Sequence, residues 1–522
     1  MTGPIRTGLR MVSLGTHIDH GGAHRRSAVR ARLRTLLATL TGQPCPDIAT
    51  ASLLRRLQSV LDGAGPDQMW LALAVLDARL PDHAAVLSAV RTAHLDGPLA
   101  ALADTLRSRR WSRRPADRWP TVEVRTGAVL VDVHHTSETT FATGIQRVAR
   151  QSALRWARDH DPVLIGWTRD YTALRRLNDA EVRRALYGID DGRDTGARYD
   201  VLVPWRATYV LPELLAEPPR AHALRALVEF SGCATAVIGF DCVPLTSAET
   251  TAYGMSGGFA LNLTAVARMD RVATISHSAA TEYRGWRTML SGVGLRGPNI
   301  TPISLPIEAS TPSSEALAEA RDLLMAGEQP MILVVGSHEP RKNHLAVLHA
   351  AELLWRDGLK FSLNFVGGNS WNSERFFQRL TELQELRRPV QSVSALSDSL
   401  LWAAYQLARC TVFPSLSEGF GLPVAESLAS GTPVITTNFG SMREIAAAGG
   451  ALLVDPRDNH DLAEAMRRLL TDDALHRQLS TQARALPLRS WDEYAEEAWN
   501  YLVNDVLPAD PDAARRERAG QP

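Results

Sequence analysis

The stretch SLSEGFGLPVAESLASGTPVI, Ser415 to Ile435, decides how this chain is read. It follows CTVFPS, an apolar run with a β-branched centre that reads as a strand, so it is the loop and helix leaving a strand end. Gly419, Phe420 and Gly421 permit a tight backbone path, and Pro423 suits the first turn of a helix that carries Glu426. Glu418 and Glu426 thereby flank a helix N-terminus. Free N–H groups and the positive end of the helix dipole favour a phosphate or a sugar hydroxyl there, and carboxylates beside them can grip vicinal diols. For one isolated glutamate, a capped surface helix with a solvated side chain is the plainer reading. Here the spacing, the GFG turn and the following GTPV act together.

The same unit recurs outward from this stretch. MILVVGS from Met331 reads as a strand, HEPRKNH as a polar loop and LAVLHAAELLWRDG as a helix stopped by glycine; LNFVGG, PVITT and GALLVDP are further strands. Upstream, AVLVDVHH from Ala128 is a strand followed by GIQRVARQSALRWARD in helical period, and DPVLIGW, YDVLVPW, TAVIGFD and RVATISH continue the alternation. SLPIEASTPSSE separates the two series as an aperiodic linker. The pattern predicts an α/β chain of two doubly wound, Rossmann-like domains, over 119–312 and 313–490, whose strand C-terminal ends face a common cleft. Before them, 1–118 reads as an all-helical extension with a basic, tryptophan-bearing stretch, Arg107 to Pro120. That stretch reads as a solvated linker, with peripheral membrane contact as the alternative, and the extension is a candidate for holding a protein partner. After them, 491–522 reads as one amphipathic helix and a polar tail.

Composition excludes some classes of partner. Among 522 residues, 57 basic side chains balance 57 acidic ones, so no net charge steers the chain toward nucleic acid. Cys45, Cys233, Cys242 and Cys410 show neither CxxC pairing nor metal-ligand spacing, which predicts thiols in a reducing, cytoplasmic setting and no bound metal. The longest apolar run, MWLALAVL from Met69, is far short of a membrane span. Lys342 and Lys360 are the only lysines, which makes Lys342, in the loop after MILVVGS, a candidate point charge. Asp159, His160 and Asp161 form a DxD, but between a helix and a strand instead of at a strand end, so metal binding is not expected there. His134 and His135 end the first strand of the N-terminal series, facing the cleft or serving structure.

Glu418 and Glu426, with seven residues between them, resemble the EX7E signature of the retaining GT-B glycosyltransferases of family 4. VVGSHEPRKNH, NFVGGNSW, TNFGSMREI and GALLVDP resemble that family's second-domain segments, and the likeness runs from about 127 to 505, stronger in the second half. The nearest flavour is that of bacterial mannosyl- and rhamnosyltransferases. The resemblance implies a GT-B fold and transfer of a hexosyl unit, mannose-like first, from a nucleoside diphosphate sugar to a saccharide, lipid-linked or other hydroxyl acceptor. The anomeric configuration is retained, and neither metal nor cofactor is needed.

It also implies roles. Glu426 would hold the donor ribose and Glu418 the donor sugar; Phe420 and Gly421 would offer backbone N–H groups, and Leu422 would also bind the donor. Arg341 and Lys342 would neutralise the diphosphate beside Ser337, where many relatives carry an arginine. TGIQRVAR resembles the first-domain loop that approaches the donor phosphates, with Gly144 allowing backbone contact. VIGFDCVP resembles a strand ending in a His-Asp pair, with Phe240 at the histidine position and Asp241 left to orient acceptor or sugar. In ATISHSAATEY, Ser276 reads as a helix cap. A phosphorylase or epimerase on the same fold, or a non-catalytic sugar-nucleotide-binding scaffold, are the alternative functions.

Overall fold

The computed structural model describes residues 23–107, 120–140, 144–190, 200–215, 217–327, 329–394 and 396–505. Most of the basic stretch and the polar tail lie outside them.

The N-terminal domain is built on strands β1 (Val122–Arg125), β2 (Val129–Asp132), β3 (Val163–Trp167), β4 (Leu174–Arg176), β5 (Val201–Pro204), β6 (Thr208–Leu211), β7 (Ala234–Gly239), β8 (Arg271–Thr274) and β9 (Asn299–Pro302). Their order is β1-β5-β4-β3-β2-β6-β7-β8-β9. Only β4 runs against its neighbours. The five strands expected from apolar runs are β2, β3, β5, β7 and β8. Short β4, with two arginines in three residues, carries no period-two signal.

The C-terminal domain holds β10 (Met331–Val335), β11 (Ser362–Val366), β12 (Val390–Val393), β13 (Cys410–Phe413), β14 (Val434–Thr437) and β15 (Ala451–Val454), all parallel, in the order β12-β11-β10-β13-β14-β15. Strands covered by helices on both faces need apolar residues throughout, which is why MILVV and CTVF are uninterrupted runs. The order reverses between β10 and β13, and a crevice opens outside their carboxyl ends.

The helices before residue 107 do not stand apart as a free extension. Met69 to Val75 of the helix Pro66–Asp77 are almost all buried, in one apolar cluster with Val201 and Val203 of β5, Tyr209 of β6, and Leu224 and Leu227 of the helix Pro218–Phe230. Buried Arg32 donates to the carbonyls of Leu76 (3.1 Å) and Pro120 (2.9 Å), tying the first helix to the entry of the sheet. The apolar run MWLALAVL is thus the inside of a helical layer on the N-terminal sheet.

Two crossings join the domains. Residues 303–313 lead out of β9, and after the helix Asp473–Arg484 the chain returns; Ile307 and Arg489 pair antiparallel where the crossings pass. The last helix, Trp491–Trp499 with its π-helical turn Asn500–Asn504, packs on the N-terminal domain: Trp156 Nε1 donates to the Ala495 carbonyl (2.8 Å) and Arg271 to that of Leu502 (3.1 Å). His160, the centre of the DxD, stacks on Trp499 at 4.2 Å, and Asp159 pairs with Arg158. Among the described residues no helix is long and apolar enough to cross a membrane, and no three His, Cys, Asp or Glu side chains are grouped to hold a metal. All four cysteines are free thiols.

Candidate functional site

The loops leaving β10 and β13 meet at the point where the strand order reverses. The β10 loop closes in a 3-10 turn, Pro340–Lys342, before Asn343 takes a left-handed conformation (φ 58°) and starts the helix His344–Arg356. The β13 loop is laid against it by backbone contact: Leu416 N–H donates to the Arg341 carbonyl at 2.8 Å. This brings Glu418 between two cations, with Lys342 Nζ 2.6 Å from Oε1 and Arg341 Nη1 2.7 Å from Oε2. Ser415 Oγ also donates to Oε1 (2.7 Å), and Arg341 reaches Glu339 with its other nitrogen (2.6 Å). Burial alone would raise the Glu418 pKa, but Arg341 and Lys342 outweigh it and hold the carboxyl at about 2. Burial, partly opposed by Glu418, lowers Lys342. Neither glutamate of the motif is solvated, so the surface-helix alternative fails on geometry.

Glu426 lies one turn into the helix Leu422–Ala429 and is buried. Its Oε2 accepts from the buried Tyr405 hydroxyl (2.8 Å), and its Oε1 pairs across the cleft with Arg147 Nη1 (2.5 Å). The turn between the glutamates depends on glycine. Gly421 adopts φ 109°, and a Cβ on Gly419 would stand 2.6 Å from Asp241 Oδ2 of the other domain. The Phe420 side chain fills a core shared by both domains, with Phe240, Val424 and Met442. The N–H groups of Phe420, Gly421 and Leu422 form no hydrogen bond among the described residues.

The N-terminal wall comes close at three places. Asp241, at the end of β7, accepts from Val243 N–H (3.1 Å); burial raises its pKa, with Arg341 opposing. Ser276 caps its helix by accepting from Ala279 N–H (2.9 Å) while donating to the Gly419 carbonyl (2.6 Å), so this cap also holds the GFG turn. A Cβ on Gly144 would stand 3.8 Å from the Leu422 side chain. Ser337 lies beside the cluster, its hydroxyl 3.3 Å from Glu339. Ser337, Arg341, Lys342, Glu418 and Glu426 thus lie on the C-terminal wall, and Gly144, Asp241 and Ser276 on the N-terminal one. His134 and His135 belong instead to a buried network behind the N-terminal wall. There Arg220 pairs with Asp132 (3.0 Å) and Glu213 (3.2 Å), Glu213 accepts from His135 and Thr136 N–H, and His135 meets Glu217.

Sequence reading missed Tyr405 and Glu444. Glu444 lies in TNFGSMREI and accepts from His277 and Ser278 N–H (both 3.1 Å), the start of the helix that Ser276 caps. A carboxylate of one domain on the helix N-terminus of the other is a pairing that spacing along the chain does not reveal.

Residues 317–486 match the family described as Glycosyl transferases group 1. The serotype-specific mannosyltransferase WbdA of Escherichia coli is 28% identical over 334 residues, covering 62% of this chain and 39% of that protein. The O-antigen chain mannosyltransferase B of Escherichia coli is 32% identical over 147 residues, 28% of this chain and 38% of that one. This chain thus spans about two fifths of the length of these curated relatives. Among solved structures, the trehalose-6-phosphate phosphatase N-terminal domain of Candida albicans superposes with a TM-score of 0.52 at 11% identity, covering 73% of this chain and 98% of that one. Alr3699/HepE of Anabaena, in complex with UDP-glucose, superposes with a TM-score of 0.51 at 13% identity, covering 72% and 99%.

Proposed function

We propose that this chain, whose residues 317–486 match the group 1 glycosyltransferases on a GT-B fold, transfers a hexosyl unit from a nucleoside diphosphate sugar to an acceptor hydroxyl with retention of configuration. The observation that carries this reading is the cluster at the β10/β13 crevice, where Arg341 and Lys342 grip Glu418 beside a helix N-terminus with uncommitted N–H groups.

In this reading the diphosphate lies against Arg341, Lys342 and the amides of Phe420 to Leu422, which offset the charge that grows as the sugar–phosphate bond breaks. Glu418 accepts hydrogen bonds from the sugar hydroxyls, and Glu426 from the ribose. The acceptor oxygen attacks the anomeric carbon on the face the diphosphate leaves, and a β-phosphate oxygen takes its proton. Asp241, against the GFG turn, orients acceptor or sugar. The cations supply the charge stabilisation a metal would otherwise provide, so transfer is metal-independent. The mannosyltransferases among the relatives favour GDP-mannose as donor, with a UDP- or dTDP-hexose second, in bacterial polysaccharide synthesis.

A thermal-shift panel of GDP, UDP and dTDP tests the donor, because a ligand at a hundred times its dissociation constant stabilises by about 2.7 kcal/mol. One nucleotide should shift the melting temperature, the matching sugar nucleotide should support transfer in EDTA, and NMR of the product should show the donor's anomeric configuration. No shift with any nucleotide, or an inverted product, would overturn the reading.

A further inference from the structure

Arg147 belongs to the N-terminal domain, in the first turn of the helix Gly144–Asp159, yet its bond among the described residues crosses the cleft to Glu426. The two partners are not alike. Glu426 is nearly enclosed, and its second oxygen is held by Tyr405 from within its own domain, whereas Arg147 keeps 33% of its side chain open. The carboxylate is fixed and the guanidinium is the partner with freedom to move. Where they meet, the backbone at Gly144 lies against Leu422, so helix N-termini from both domains converge, and neither helix has an acidic residue in its first turn. An anion in that space meets both positive dipole ends and a guanidinium with donors to spare.

We propose that Arg147 is a donor-binding residue that takes a diphosphate oxygen of the nucleotide while it shares Glu426 with the ribose hydroxyls. This rests on the donor reading above. The planar fork of arginine suits the exchange, since Nη1 can stay on the carboxylate while Nη2 and Nε turn to phosphate. The cation comes from the wall opposite Arg341 and Lys342, so phosphate binding draws the two domains together, and the affinity gained depends on closure. Lysine, a single point charge, cannot bridge carboxylate and phosphate in this way.

The test is calorimetry on the full chain, with the nucleoside diphosphate that the wild type binds and with its bare nucleoside. For Arg147→Met the diphosphate should bind about tenfold more weakly, the nucleoside should change by less than about twofold, and Arg147→Lys should fall between. Arg147→Gln, which keeps a donor for Glu426, serves the same comparison should the methionine variant unfold. Diphosphate affinity unchanged in the variants would overturn the inference and leave the donor reading standing. Equal losses for nucleoside and diphosphate would make Arg147 only a partner of Glu426, which also overturns it. A wild type that binds none of GDP, UDP and dTDP would sink the donor reading and the inference together.

Discussion

Both domains bury an arginine among carboxylates, and the two clusters are placed differently. In the N-terminal domain Arg220 is wholly enclosed, with Asp132 and Glu213 on it, Glu217 at 3.6 Å, and the Tyr209 hydroxyl and Trp167 indole donating to Asp132. Glu213 in turn accepts from the backbone of the turn at His135 and Thr136, so the charges fix the loop after β2. In the C-terminal domain Arg341 and Lys342 share Glu418 at the wall of the cleft. The first cluster is enclosed within its own domain. The second has two cations shared between Glu418 and Glu339 at the cleft wall, where an incoming anion can compete for them. Burial of charge marks a site only when one face of the cluster opens on a cleft.

The contrast predicts that Arg220→Met costs stability and little else. Removing one partner from a buried ion cluster strands the others, worth about 3 to 5 kcal/mol. Chemical denaturation should show that loss while the folded fraction keeps its nucleotide affinity; a variant as stable as wild type would mean that Asp132 and Glu213 share a proton instead of an arginine.

Lys342→Ala should reverse the pattern, weakening donor binding and slowing transfer about ten- to a hundredfold with a smaller loss of stability, since Arg341 still neutralises Glu418. Titration and steady-state kinetics check it, and unchanged constants would put Lys342 among structural charges like Arg220.

The two glutamates should separate next. Glu426→Gln is expected to weaken the sugar nucleotide and the bare nucleoside diphosphate alike, and Glu418→Gln to lower turnover with the bare nucleotide's affinity nearly unchanged. Identical binding defects would dissolve that division of labour.

Acid should strain both clusters in sequence. Burial holds His134 of the N-terminal domain and His338 of the C-terminal loop each at about 4, below the ordinary 6.5, so the unfolded chain binds more protons over that interval and stability falls as pH drops from about 6.5 to 4. Glu418, depressed from 4.5 to about 2, loses its contribution only between those values. Denaturation at stepped pH should show the histidine loss first; a flat profile down to pH 4.5 would contradict it. The smallest effect is expected of Glu444→Gln, which weakens the clasp on His277 and Ser278 without touching either cluster: a few-fold rise in donor KM at near-constant kcat. A larger fall in kcat than rise in KM would place Glu444 closer to the chemistry than the clasp does.

What the sequence alone determined is local. Alternating apolar runs and helical periods specify two doubly wound domains, and the Gly-rich turn between Glu418 and Glu426 marks the strand end that carries the candidate site, because such signals repeat every two to four residues. Arg341, Lys342 and the GFG turn were legible for the same reason: each lies within a few residues of a strand terminus. Tertiary structure decided the partners. Arg147 on Glu426, Ser276 on Gly419, Glu444 on the start of the helix at His277, and Arg220 among Asp132 and Glu213 join residues 7 to 279 positions apart. It also made the N-terminal helices a layer of the first domain, since MWLALAVL is apolar in any setting and only packing tells which sheet covers it. Hydrophobic period reports that a face is buried. Which face it meets, and whether a charge there is saturated or left open to a ligand, depends on how the chain returns through space.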